Sequence, residues 1–325
     1  MKKISSYLAF ISCAAVLLIY SCSKNDNIPP SGNQLKTGTV SGTVTSANGT
    51  KAINHAFVYI DVSGTIYSTY SVPNGSFTLT APEGNQTLCI QTGDGKLFHT
   101  CVSVTIIEGQ NTDVPESETR LLLTGELAYI AGIYDKIEAL VDDTLGYPIT
   151  EITDNELLDT TLLFNFDAVF MNCNDIPSQP QAAYDNLKTY VEHGGNIYVS
   201  DFASAYLLGD YLYYGACDRP GGFIDDSLLC TQKTGPMMTI PSVSIVDTSF
   251  QNYMGTTTMD VDFDLDGWEV VQYYNSSFWD VIVSDATYGP LCFATRALVR
   301  LTTEKFISLR FIMSQTMCSA TICAT

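Results

Sequence analysis

Short runs of alternating apolar and polar residues fill the chain from residue 37 to about residue 119. This period of two predicts half-buried β-strands, and turn-forming sequences such as Asn48-Gly49 and Asp94-Gly95 separate the runs. We therefore predict an all-β sandwich over residues 37–119. Its predicted strands cover residues 39–45, 56–61, 65–70, 76–80, 87–91 and 102–107.

The pattern changes at residue 121, where apolar runs begin to alternate with amphipathic segments of helical length. Such alternation predicts a doubly wound parallel sheet with helices on both faces. The predicted strands cover residues 127–130, 167–171 and 196–200, and the predicted helices cover residues 134–141 and 181–192. The fold class is thus multidomain, with an α/β unit at residues 121–325 after the sandwich.

The first region contains GTVSGTVTSANGTKAINHAFVYI and VPNGSFTLTAPEGNQTLCI, which resemble the carboxypeptidase regulatory-like domain. That family is a prealbumin-like or carbohydrate-binding-like sandwich, and the resemblance implies a spacer or interaction module without catalysis. Tyr59, Tyr67 and Tyr70 offer aromatic faces on which a glycan could stack. Alternating tyrosines that simply cover a sheet explain the same pattern.

The second region contains AYIAGIYDKIEALVDDTLG, FDAVFMNCND and LKTYVEHGGNIYVSDFASAYL, which resemble the class I glutamine amidotransferase-like domain. The resemblance implies a flavodoxin-like fold with a cysteine nucleophile in the sharp turn after the third of these strands. Here that turn reads Ser200-Asp201-Phe202-Ala203, without a cysteine. We therefore predict no catalytic residue.

An enzymatic alternative stays open at this turn. A hydrolase or amidase would use Ser200 or Asp201 as its nucleophile and His193 as the base. Cys173 follows the preceding strand, so we expect it to be buried or disulfide-bonded and not to act as the nucleophile.

The first residues have the order of a secretory signal: Lys2 and Lys3, an apolar stretch over residues 7–20, then Ser21 and Cys22. The stretch is shorter than the roughly 20 residues of a spanning helix. Ser21-Cys22 resembles a lipoprotein signal-peptidase box, and SKND resembles the export tags of Bacteroidetes surface lipoproteins. We expect a signal peptide over residues 1–21, lipid attachment to Cys22 and a flexible tether over residues 22–36. A secreted protein with an incidental cysteine is the alternative.

The net charge indicates which partners the protein can bind, and the cysteine content indicates which disulfides to expect. A net charge of -20 argues against a basic surface for nucleic acid. Export favours disulfides, and we predict two: Cys89 with Cys101, which lie in neighbouring strand-like runs, and Cys217 with Cys230, which bracket a loop. The expected protein is a non-catalytic lipoprotein of the outer membrane or cell surface. It is held by its lipid and binds a glycan, a peptide or a partner protein.

One sequence motif suggests a metal. Asp262, Asp264 and Asp266 belong to a DxDxDG run, which opens calcium loops because alternating oxygens converge on one ion. The twelfth position of such a loop requires an acid, and Tyr273 stands there. An edge strand that enters a turn explains the run as well. Ca²⁺ is the only cofactor that the sequence suggests.

The last residues differ from the rest of the chain. Residues 294–325 carry four basic residues in a chain otherwise poor in them. Back-translation of residues 297–314, read two bases later, permits SGTVDYGKVYFTSFHNE. This string resembles the closing strand and histidine-containing segment of amidotransferase-like relatives. Residues 297–325 are therefore expected to be out of frame.

We predict a shift of the reading frame between Phe293 and Ala297, because an uninterrupted match to GKVYFTSFHNE is hard to obtain by chance. The final strand of a parallel sheet is buried on both faces, so losing this segment would expose apolar surface. Resequencing the gene across codons 290–300 checks this expectation. An uninterrupted frame that encodes the present C-terminal sequence would contradict it.

Overall fold

The computed structural model describes residues 35–175, 178–210, 212 and 217–295, together with the backbone of residues 309–312. Residues 37–325 belong to one structural unit. The predicted signal peptide, Cys22 and most of the segment predicted to be out of frame lie outside the described residues. Within the described part of the chain, no helix is both long enough and apolar enough to cross a membrane.

Seven strands form the sandwich. They are β1 (Thr37–Thr43), β2 (Phe57–Val62), β3 (Thr65–Tyr70), β4 (Ser76–Pro82), β5 (Gly84–Gln91), β6 (His99–Ile106) and β7 (Asn111–Asp113). One sheet has the order β4-β1-β7 and the other the order β3-β2-β5-β6. Val40, Ile60, Phe77 and Leu88 are buried between them. The six predicted strands are present, β3 with the predicted ends and the other five with shifted ends, whereas β7 is too short to show a period.

Eleven further strands follow in the described residues. They are β8 (Leu127–Ile130), β9 (Thr150–Ile152), β10 (Ala168–Met171), β11 (Asn196–Ser200), β12 (Leu229–Gly235), β13 (Met238–Ile245), β14 (Thr258–Phe263), β15 (Trp268–Tyr274), β16 (Asp280–Asp285), β17 (Gly289–Thr295) and β18 (Leu309–Ile312). The described α-helices are α1 (Thr160–Leu163), α2 (Gln181–Glu192), α3 (Ala205–Leu208) and α4 (Thr248–Met254). Turns of other helical types cover Glu116–Glu118, Ala139–Thr144, Asp154–Leu158 and Asp201–Ser204.

Five parallel strands form the α/β part of the largest sheet, in the order β9-β8-β10-β11-β18. In chain order this arrangement is 2-1-3-4-5, which is the flavodoxin-like order. The predicted fold class is therefore confirmed. The strands are buried because helices cover them: Leu187 and Tyr190 of α2 pack against Val169 and Val199.

The same sheet continues on its other side with antiparallel strands that the sequence did not predict. β17 pairs with β18, and β16, β13 and β14 follow in that order. β12 and β15 form a separate antiparallel pair. β14 lies at the edge of the large sheet, and its Val261 and Phe263 are buried while Asp262 is not. The edge-strand interpretation of the DxDxDG run is thus confirmed.

The predicted helix over residues 134–141 is wrong at its start. Backbone nitrogens of Ile133 and Tyr134 both donate to the carbonyl oxygen of Cys173 at 3.2 Å. The amide oxygen of Asn172 accepts from Ile137 N at 3.2 Å. These bonds to the end of β10 hold the chain in a loop, so helical backbone begins only at Ile137 and continues as a π-helical turn at Ala139–Thr144.

A buried ion pair joins elements that are distant in the chain. The guanidinium of Arg219 lies 2.6 Å from the carboxylate of Glu269 in β15, and both side chains are at most 1% exposed. Glu269 also accepts from Ser204 Oγ at 2.5 Å and from Thr231 Oγ1 at 2.6 Å. The carboxylate therefore has a full set of donors, as a buried charge requires.

Replacing Arg219 with Met should lower the free energy of unfolding by about 3–5 kcal/mol, because Glu269 would stay buried without its counter-charge. Lys188→Met provides a matched control, since Lys188 and Glu192 form an exposed pair at 4.0 Å. That control should change stability by less than about 0.5 kcal/mol. Urea unfolding monitored by tryptophan fluorescence measures both, and equal effects of the two substitutions would contradict the assignment.

Candidate functional site

A cleft of about 470 Å³ lies between the sandwich and α4. Asn54 fixes the two walls to each other, because its amide nitrogen donates to the carbonyl oxygens of Asn252 at 2.8 Å and Tyr253 at 2.7 Å. The sandwich contributes Asn54, His55, Tyr70, Ser71, Val72 and Pro73 to the lining, and the region around α4 contributes Gln251, Asn252, Gly255, Thr256 and Thr257. The lining carries no acidic, lysine or arginine side chain, and its polar groups are side-chain amides, hydroxyls and one imidazole.

A row of aromatic rings leads into this cleft across the outer face of the sandwich. The rings of His55 and Tyr70 are stacked at 4.2 Å and 5° from parallel. Phe57 continues the row at 5.3 Å from Tyr70, and Tyr59 lies 5.1 Å from Phe57. Alternation in β2 sends Val58 inward and its neighbours outward. We call His55, Tyr70, Phe57 and Tyr59 the aromatic row.

Two of the three tyrosines singled out in the sequence belong to the aromatic row. Tyr59 and Tyr70 point outward, and Tyr70 is 49% exposed. Tyr67 pairs with Ile60 and packs against the sandwich core. Tyr67 and Tyr70 are three positions apart, so the period of two places them on opposite faces. Alternation along β2 also predicts that Phe57 points outward. His55 lies in a loop, where alternation predicts no direction for a side chain.

The loop that carries His55 is strained and firmly held. His55 has a φ of 56°, in the left-handed region that non-glycine residues rarely adopt. Ser71 holds it, since its hydroxyl accepts from Ala56 N at 2.8 Å and donates to the carbonyl of Ile53 at 2.7 Å. Strained residues of this kind cluster at ligand sites, where the surrounding structure keeps them in place.

A second candidate site is the turn that would hold the nucleophile in an amidotransferase. Asp201 directly follows β11, has a φ of 41° and is 1% exposed. Its carboxylate accepts from Glu269 N at 2.8 Å, and the thiol of Cys173 donates to it at 3.6 Å. A sharp turn from strand to helical turn is present, and it carries Asp201 and no cysteine.

Two acids at this turn have raised pKa values. Burial raises the pKa of Asp201 to about 7, and the negative charge of Glu269 adds to the effect. Burial likewise raises the pKa of Asp135 to about 6, while hydrogen bonds from Ser200 and Cys173 N lower it in part. Both acids lie beyond the carboxyl ends of β8 and β11, next to the point where the strand order reverses.

The structure contradicts His193 as a base for this turn. His193 ends α2 and precedes β11, and a ring nitrogen lies 2.8 Å from the carbonyl oxygen of Thr189. Asp201 lies at the other end of β11, whose five residues span roughly 16 Å. Ser200 instead donates to the carbonyl of Met171 at 3.3 Å. Cys173 is fully buried, in line with the expectation of burial.

The cysteine pairs singled out in the sequence are bonded in the structure. Cys89 and Cys101 are direct neighbours in the register of β5 and β6, with their Cα atoms 4.1 Å apart. Cys217 and Cys230 have their Cα atoms 4.9 Å apart. The lipid-attachment cysteine, Cys22, lies outside the described residues and stays a prediction.

The three aspartates of the DxDxDG run are not gathered around one point. Among the side chains that the structure describes, the set of three potential ligand atoms within 4.8 Å of one another belongs to Cys89, His99 and Cys101. Asp262 lies on β14, and the other two acids follow in the turn. Calcium binding at this run has no support from the arrangement and stays a prediction.

Solved structures similar to this chain fall into two groups. A DUF3823 family protein of Parabacteroides merdae is 18% identical, with a TM-score of 0.22, over 28% of this chain and 48% of that one. A protein of Bacteroides uniformis described as ThuA-like is 12% identical, with a TM-score of 0.36, over 61% and 86% of the two chains. A protein of Thermoplasma acidophilum described as a GMP synthase subunit is 9% identical, with a TM-score of 0.37, over 58% and 83%.

The chain spans about half the length of the DUF3823 protein that it matches. No family model matches the sequence. No curated protein matches it.

The raised pKa of Asp201, about 7, makes stability depend on pH. An unfolded aspartate has a pKa of about 3.9, so between about pH 4 and pH 7 the folded state holds a proton that the unfolded state releases. The free energy of unfolding should therefore fall as pH rises through this window. Asp201→Asn cannot ionise, and we expect it to flatten that fall and to stabilise the protein at pH 8 by roughly 1–3 kcal/mol.

Urea unfolding at pH 5 and pH 8 measures this dependence. Asp226→Asn is the control, because Asp226 is exposed and the substitution should leave the pH dependence unchanged. Identical pH dependence in wild type and Asp201→Asn would show that Asp201 is not the group responsible.

Proposed function

We propose that this chain is a cell-surface binding module that holds a neutral glycan along the aromatic row and in the adjoining cleft. One observation carries the proposal: a row of four rings leads into a cleft lined by side-chain amides and hydroxyls. Pyranose rings present an apolar C–H face and a rim of hydroxyls. The first suits stacking on an aromatic ring, and the second suits Asn, Gln and Thr side chains.

Charge supports a neutral ligand over an acidic one. The chain has a net charge of -20, which repels anionic polymers over the whole surface. The cleft itself contains neither arginine nor lysine to offset this repulsion. A peptide or a partner protein is the competing occupant, and the binding experiment below distinguishes the two.

The N-terminal sequence suggests how the module is held at the cell surface. We propose that lipid on Cys22 anchors the protein at the outer membrane or cell surface, and that residues 22–36 act as a flexible tether. The support is the order of the basic, apolar and cysteine residues at the start of the chain.

The second candidate function is hydrolysis at the turn around Asp201. Two neighbouring acids with raised pKa values, Asp135 and Asp201, favour it because such pairs are typical of acid–base sites. Asp201 is 1% exposed, so a substrate would have to displace part of the covering structure. Hydrolysis of amide or ester substrates by wild type, and its loss in Asp135→Asn, would favour this function over glycan binding.

Replacing Tyr70 with Ala should weaken glycan binding about tenfold, since loss of one stacked ring removes roughly 1.4 kcal/mol. Affinity electrophoresis against a panel of neutral polysaccharides, including xylan, mannan and dextran, followed by calorimetry on the best ligand, measures this. Tyr273→Ala is the matched control, because Tyr273 is 51% exposed on β15. Binding of peptides but of no polysaccharide, or equal affinity of Tyr70→Ala and wild type, would contradict the proposal.

A further inference from the structure

A metal-ligating arrangement lies on the outer face of the sandwich. Cys89 in β5 and Cys101 in β6 occupy directly opposed positions of an antiparallel pair. His99 precedes Cys101 by two residues on β6, so the period of a strand places both side chains on one face. The sequence predicted a disulfide for the two cysteines and no role for His99.

The distances suit a tetrahedral metal. The Nε2 atom of His99 lies 3.3 Å from Sγ of Cys101, and the three ligand atoms are all within 4.8 Å of one another. In a tetrahedral zinc site with Zn–S of about 2.3 Å and Zn–N of about 2.0 Å, neighbouring ligand atoms lie roughly 3.5–3.8 Å apart. The separation of His99 and Cys101 is thus close to this spacing, whereas the two sulfurs, which are bonded to each other, would have to separate.

The intact disulfide excludes a metal, because both sulfurs are bonded to each other and the thiolate is the form that ligates. Cys101 is exposed, and Cys89 and His99 are partly exposed. A soluble reductant can therefore reach the bond. Eight residue pairs join β5 to β6, from Gly84 with Ile106 to Gln91 with His99, so the ladder keeps the three side chains together after the bond breaks.

We propose that reduction of the Cys89–Cys101 disulfide opens a site for a thiophilic divalent ion of the Zn²⁺ type, with Cys89, Cys101 and His99 as its protein ligands. A dithiol supplies two electrons and two protons, so the disulfide becomes two thiols and the dithiol becomes a disulfide. The ion then displaces both thiol protons, and water fills the fourth position. Bound metal and the disulfide exclude each other. In the oxidised protein the disulfide connects β5 and β6, and in the reduced protein the metal ion connects them.

Cobalt(II) is a direct probe, because thiolate ligation gives a sulfur-to-metal absorption band in the near ultraviolet and tetrahedral geometry gives strong visible bands. The full chain is titrated with Co²⁺ before and after reduction with a phosphine that is then removed. We expect no tetrahedral signal from the oxidised protein. The reduced protein should bind one Co²⁺ at this site, and Zn²⁺ should displace it.

Three variants assign the signal to these residues. Cys89→Ser/Cys101→Ser should lose it, which separates this site from the other cysteines of the chain. His99→Asn should weaken Co²⁺ binding at least about tenfold while leaving the circular dichroism spectrum unchanged. Cys217→Ser/Cys230→Ser should retain it. The proposal is overturned if reduced wild type gives no tetrahedral signal, if Cys89→Ser/Cys101→Ser keeps it, or if His99→Asn binds Co²⁺ as tightly as wild type.

Discussion

The α/β part of the molecule depends on the hydrogen bonds and the ion pair that the buried carboxylate of Glu269 makes. This carboxylate is fully buried in β15 and receives donors from Arg219, Ser204 and Thr231, which belong to three separate segments. Its own backbone nitrogen donates to Asp201. One residue thus connects the turn after β11, the segment that carries Arg219 and the β12–β15 pair. A buried charge with this many partners specifies one arrangement more than it adds net stability.

This constraint also gives a physical account of the turn around Asp201. A cysteine nucleophile needs exposure and a positive environment to become a thiolate. Here the turn packs under β15, next to a second carboxylate, and the surroundings favour the neutral form of an acid. The absence of a cysteine from this turn and the covering of the turn by β15 are consistent with each other. The hydrogen bond between Asp201 and Glu269 connects the large sheet, which contains β11, to the β12–β15 pair.

The sequence predicted those parts of the fold that have a regular period. The bounds of α2 and β11 agree with the structure, and the face of β2 that carries Tyr59 follows from alternation. The antiparallel strands between residues 229 and 295 were missed, because their register contains several bulges that interrupt a simple period. The cleft could not be predicted, since Asn54 and Asn252 meet only through tertiary packing.

The position of β18 has a consequence for how the molecule is made. This strand, although it comes last among the described strands, lies between β11 and β17 in the interior of the sheet. During synthesis, both neighbours emerge first and present unpaired backbone groups to solvent. The chain therefore has to pass through a stage with two open sheet edges, in which association with other unfinished chains competes with closure. A folding helper that shields strand edges would act on this stage, whichever reading frame supplies the closing strand.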